Sequence, residues 1–264
     1  AFATYRARRY KMSRTLWRGI RFGMDRAAWG FVGRWILCSI VQLITLGILT
    51  PYKTFTLEKY MADRSYFGSS KLHQGGTWTA FFPAMKHVFI GMAISLVGGL
   101  LIYMEVFVVG LIVTTAGYLW FTIGTVDYGV KSFAYLTSHK TIEGGLSLAS
   151  APSTGFIIKK VILMSLALGA VTSIIFGLVA GVSFGLANLS AIASIIVVAL
   201  SYFVAIAVTE GLVMAWITMP ILAHYITTSQ IAGFENIGAI QQREADAGAD
   251  AEGFADALDI GGAF

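Results

Sequence analysis

Residues 156–186 read FIIKKVILMSLALGAVTSIIFGLVAGVSFGL, and no charged residue lies between Lys160 and Glu210. Roughly 20 apolar residues suffice for a helix to cross a bilayer, so this stretch is long enough to span one. Its small residues add a second signal. Ser165, Gly169, Ser173, Gly177, Gly181 and Gly185 recur every fourth position. In lipid, apolar burial does not draw helices together, and close approach along small side chains takes over that task. The stripe is expected to pack the helix against the other arm of its hairpin, or to receive a second copy or a partner subunit.

Working outward, three more apolar blocks occupy residues 31–50, 87–126 and 191–218. The chain is 56% apolar and 12% charged, and its mean hydropathy is +0.73. A water-soluble fold of 264 residues could not bury that much apolar surface. The expected class is an all-α, polytopic membrane protein. Block 87–126 is twice one span and is expected to turn at Tyr103-Met104-Glu105. Blocks three and four are expected to join at Gly185-Leu186-Ala187-Asn188. These make two transmembrane hairpins, with further small-residue stripes at Gly91, Ser95 and Gly99 and at Ser201, Ala205 and Thr209.

Nearly all the basic residues sit outside these blocks, before residue 31 and in 51–86 and 127–153, while the hairpin tips carry none. The positive-inside rule then places the N-terminal basic stretch, the polar segments and the C-terminus in the cytoplasm. Segment 22–50 has basic residues on both sides, so a single crossing there would break that rule. The segment is therefore read as re-entrant, broken near Gly30 and Gly33, with one ordinary crossing as the alternative. The linear division expected is a basic amphipathic interfacial segment at 1–30, a transmembrane domain at 31–219 and an acidic tail at 220–264. Arg14, Arg18 and Arg21 are the expected contacts to anionic lipid headgroups, each worth about 1 kcal/mol near the surface. Nucleic acid is not an expected partner, because no stacking platform accompanies the charge.

A repeat runs along the chain. Tyr10 precedes Gly19, Tyr60 precedes Gly68, Tyr135 precedes Gly144 and Tyr225 precedes Gly233, at intervals of nine or eight residues. Duplicated membrane proteins, transporters among them, carry such repeats.

Ser13-Arg14-Thr15-Leu16-Trp17-Arg18-Gly19-Ile20-Arg21-Phe22 is similar to a signature of the YjgN-like bacterial inner-membrane proteins. Thr45-Leu46-Gly47 with Pro51, the segment Tyr60 to Gly68, and Gly253-Phe254-Ala255-Asp256-Ala257-Leu258-Asp259 resemble its further motifs in the same order. Lys59 departs from the arginine more usual before Tyr60. The resemblance implies a bacterial inner-membrane location and the C-terminal two thirds of a member, without a substrate or a catalytic residue.

Ionisable groups at membrane depth are costly, which singles out Glu210, flanked by Thr209, and Arg34. They are expected to form an intramembrane ion pair or polar site. His73, His87, His139 and His224 show no metal-ligand spacing, and no catalytic motif is present. No metal, no cofactor and no enzymatic activity are expected. Two functions remain open: an accessory, assembly or organising component of a membrane complex, or a channel or secondary transporter with a site near Glu210.

Overall fold

The structure, a computed structural model, describes residues 1–185 and 191–243. It divides into two compact units that interleave along the chain. The first comprises residues 1–90, 131–151 and the chain from Ser229 onward, and the second comprises 91–130 and 152–228. These units do not follow the linear order of the chain, which enters each of them more than once.

The first unit is built on a sheet that an all-α expectation did not contain. Strands β1 (Leu16–Trp17), β2 (Ile20–Met24), β3 (Ser65–Phe67), β4 (Ser70–Gln74), β5 (Lys140–Ile142), β6 (Leu146–Ser150) and β7 (Ser229–Ala232) lie side by side in chain order. Every neighbouring pair is antiparallel. Each strand is too short to show an alternating pattern against its apolar surroundings, so hydropathy conceals the sheet. One face carries Phe67, Leu72, Ile142 and Leu146, all buried. Ile240 and Ile237, from the 3-10 segment Phe234–Ala239 and the residue after it, close over that core.

The tyrosine–glycine repeat is the repeat of this architecture. Each tyrosine lies on a helix that leads into the sheet: α1 (Phe2–Ser13), α3 (Thr50–Ala62), α5 (Phe107–Ser138) and α8 (Met219–Thr227). Each glycine sits in the left-handed region that follows, with φ of +80° at Gly19, +55° at Gly68, +100° at Gly144 and +87° at Gly233. Arg18 and Gly19 both have positive φ and join Trp17 to its partner Ile20, the geometry of a two-residue hairpin loop. The basic stretch before residue 31 is therefore not a single element. Only Phe2–Ser13 is helical, and the next residues are drawn into the sheet by this turn.

Between β2 and β3 the chain makes a helical hairpin of α2 (Ala28–Ile44) and α3. The helix runs unbroken through Gly30 and Gly33, and the expected break there moves to Leu46 and Gly47, with φ of +49° and +85°. The Thr45 hydroxyl donates to Val41 O (2.8 Å) and the Thr50 hydroxyl to Gly47 O (2.6 Å), tying the turn to both arms. Pro51 enters α3 in its first turn, where a missing N–H costs nothing.

The second unit consists of long apolar helices. Four stretches, Trp78–Tyr103, Phe107–Ser138, Thr154–Gly181 and Ser194–Thr227, are long and apolar enough to cross a membrane. Helix α4 (Lys86–Tyr103) turns into α5 through Glu105 in the left-handed region, at the expected position. Helix α6 (Thr154–Gly185) is followed by α7 (Ala191–Val213), and the expected turn at residues 186–188 lies outside the described residues. Between α7 and α8, Met214–Thr218 adopts a π-helical turn. Pro220 has no N–H to return to the carbonyl of Trp216, which accounts for the widened turn immediately before it.

Candidate interaction surface on the long helices

The two long hairpins use small residues in opposite ways. In the first, Gly91, Ser95 and Gly98 of α4 face α5. A Cβ on Gly91 would meet the backbone of Phe121, one on Gly98 the backbone of Thr114, and one on Gly117 the backbone of Ser95. Gly99, expected to share that contact, has nothing near it. Spacings of four then three keep to one side of a 3.6-residue helix, whereas two steps of four drift off it. Gly98 therefore takes the place assigned to Gly99.

In α6 the small-residue stripe is open. Ser165, Gly169, Ser173, Gly177, Gly181 and Gly185 are all exposed. Among the described residues, a Cβ on Gly169, Gly177, Gly181 or Gly185 would meet no atom within 4 Å. The expected packing of this stripe within its own hairpin is not what forms. Between α6 and α7 runs an open apolar groove bordered by Ile175 and Val179 of α6 and Val197, Ser201 and Ala205 of α7, and Phe176 of α6 packs 5.9 Å from Tyr202 of α7. Ala205, from the short stripe of α7, is 2% exposed. Larger side chains thus line the seam of this hairpin, and the glycine row is not among them. The Ser173 hydroxyl donates to Gly169 O (2.7 Å), so it demands no outside acceptor.

Glu210 lies on α7 four residues before the π turn. It is exposed and has no hydrogen-bond or ion-pair partner among the described residues. Beside it, the Thr209 hydroxyl is returned to Ala205 O (2.8 Å). Arg34 belongs to the other unit. It donates to Gly30 O (3.3 Å) and lies 4.4 Å from the Tyr60 ring centre. Within its own unit Arg34 stacks on an aromatic ring rather than meeting a carboxylate.

The arginines expected at lipid are spread over two elements. Arg14 follows α1 and covers the Tyr10 ring at 4.5 Å, while Arg18 occupies the β1–β2 turn and lies 5.4 Å from the Trp17 ring. The Arg21 backbone N–H donates to the Gln242 side chain (2.8 Å).

Sequence reasoning missed the charge network beneath them. Glu58 of α3 accepts from Arg8 of α1 (3.0 Å) and from Lys140 of β5 (2.6 Å). Burial alone would raise the Glu58 pKa, but the Lys140 and Arg8 charges outweigh it and hold the carboxyl below its ordinary range. Asp25 accepts the Tyr66 hydroxyl, and burial together with that carboxylate pushes Tyr66 up to about 12. Partners fifty or eighty positions apart leave no periodic trace to read. Among the described residues, no group of His, Cys, Asp and Glu is arranged to hold a metal ion.

The profile of DUF898, described as a bacterial protein of unknown function, matches residues 1–257. The chain belongs to that family. In this DUF898 protein the motifs that carry the YjgN-like resemblance are largely turn chemistry. The Arg14–Phe22 motif builds the β1–β2 hairpin, Thr45-Leu46-Gly47 turns α2 into α3, and Tyr60 to Gly68 leads α3 through β3 to its turn. The Gly253–Asp259 motif lies outside the described residues. Comparison with curated proteins and with solved structures found no match.

Proposed function

We propose that this DUF898 protein is a non-catalytic organising component of a bacterial inner-membrane complex, which receives a transmembrane helix of another subunit on the glycine row of α6. The observation that carries this reading is the contrast within one chain. Backbone fills the small-residue contact of α4 and α5, while the equivalent row on α6 is open. A row at every fourth residue follows the i±4 ridge, the line along which a helix crossing at a GxxxG-type angle approaches. Glu210 on the adjacent helix offers such a subunit a polar anchor, since an unpaired carboxylate facing lipid is costly. The charge distribution supports a cytoplasmic sheet. Of the 19 Lys and Arg residues, only Lys159 and Lys160 fall in the unit of long helices.

Gentle extraction from native membranes, followed by native-gel sizing and mass spectrometry, tests the proposal. A stoichiometric foreign subunit that is lost from Gly177→Leu and Gly181→Leu variants of unchanged thermal stability is the expected result. A monomer or pure homo-oligomer overturns it in favour of the second reading, a channel or transporter using Glu210. That reading predicts solute or proton flux in proteoliposomes that Glu210→Gln abolishes.

A further inference from the structure

Tyr60 of α3 lies against α2 at a place that admits no side chain. A Cβ on Gly30 would collide with the Tyr60 hydroxyl, which donates to Ala27 O at 3.1 Å. Two guanidinium groups use the ring held there. Arg34 of α2 lies 4.4 Å from its centre, and Arg64, just beyond α3, lies 3.7 Å away. Each is steadied by one backbone carbonyl, Arg34 by Gly30 O (3.3 Å) and Arg64 by Tyr60 O (3.2 Å). A guanidinium has five N–H donors, so most of them remain available on both residues. Among the described residues neither meets a carboxylate. Asp25, whose backbone N–H bonds Arg64 O, has given its carboxylate to Tyr66.

A third arginine repeats the imbalance nearby. Both terminal nitrogens of Arg6 are buried without a hydrogen-bond partner. The Arg6 guanidinium lies 5.6 Å from the Phe2 ring, which in turn packs 5.1 Å from Trp29 at the start of α2. A cation without a counter-charge is unfavourable away from water, and guanidinium groups with free donors select phosphate, whose oxygens match the guanidinium fork.

The surroundings choose the kind of phosphate. Trp29, Trp35, Ile36 and Leu37 are exposed on α2 around Arg34, with Trp29 at 73%. Tryptophan and arginine together mark the depth of lipid headgroups, and the apolar side chains offer contact to acyl chains that a soluble phosphate lacks. We propose that Arg34 and Arg64, stacked on Tyr60 and supported by the charge of Arg6, bind the phosphate of an anionic phospholipid. The site is distinct from the α6 row and does not depend on any partner subunit.

Native mass spectrometry of the full chain in detergent, titrated with phosphatidylglycerol, tests this. The expected result is about a tenfold loss of affinity in Arg34→Gln/Arg64→Gln, and a smaller loss in Arg34→Lys, which keeps charge but not the fork. Photocrosslinking of wild-type protein with a headgroup-reactive phosphatidylglycerol should label residues 28–64, and this arm needs no variant to fold. Unchanged affinity in the double variant, or labelling elsewhere, overturns the site. Displacement of the lipid by equimolar inorganic phosphate would show a soluble anion to be the ligand and overturns the lipid assignment.

Discussion

At Glu58 one carboxylate joins α1, α3 and β5 through Arg8 and Lys140, with side-chain exposures of 18%, 31% and 15%. Removing its charge strands two cations in a partly desolvated site, so Glu58→Gln should cost about 1–3 kcal/mol at pH 7. Thermal unfolding of the detergent-solubilised protein reads this. The pH dependence has a defined sign. A carboxyl held low in the folded state contributes stability above its ordinary value, roughly 4.3, and loses it as pH falls through the folded value. The curves of wild type and Glu58→Gln should therefore converge as pH falls through the lowered folded value. An offset that does not shrink on acidification before the protein unfolds would show that the charge is not what matters. Glu58 was not legible beforehand, because its partners come from elements that only the sheet assembles.

Among elements, the four turn glycines share a backbone conformation but not their surroundings. Gly19 has nothing within 4 Å of an added Cβ, whereas a Cβ on Gly233 would strike the carbonyl of Gly145. Gly19→Ala should cost only the left-handed penalty, about 1 kcal/mol, and Gly233→Ala distinctly more, measured as the difference in Tm. The glycines of the long helices divide in the same way. Gly98→Leu would drive a side chain into the backbone of Thr114, and the α4–α5 hairpin should fail to fold or should unfold at much lower temperature. Gly177→Leu should leave the stability of the isolated chain within about 0.5 kcal/mol, since its site is open. Equal destabilisation by both would contradict the assignment of α6 as the unoccupied face. The spacing of small residues was plain in the sequence, but the face each helix turns to its neighbour depends on which larger side chains interlock.

In the whole molecule, every helical excursion begins at one strand and ends at the next, between β2 and β3, β4 and β5, and β6 and β7. An excursion anchored at both ends in one sheet is expected to return to the side from which it left, which would satisfy the charge rule for the first apolar block. Replacing Cys38, the one cysteine, by alanine permits a direct check in sealed vesicles. Ser69→Cys and Thr141→Cys, at exposed positions on different strand pairs, should react with an impermeant maleimide from the same side, and Glu105→Cys from the opposite side. Labelling of Ser69→Cys and Thr141→Cys from opposite sides is incompatible with the sheet.

The sequence by itself determined that the chain carries helices long and apolar enough to cross a membrane, where those helices lie, where α4 turns into α5 and which glycines repeat. Hydropathy and backbone conformation are local properties, written in composition and in residues such as Gly19, Gly68, Gly144 and Gly233. Only the tertiary structure decided that those glycines turn a seven-stranded sheet, that the α6 row faces outward and that Arg34 stacks on Tyr60. Strand pairing, the choice of packing face and the meeting of distant charges are set by which segments come together. That is a property of the assembled chain and of no stretch within it.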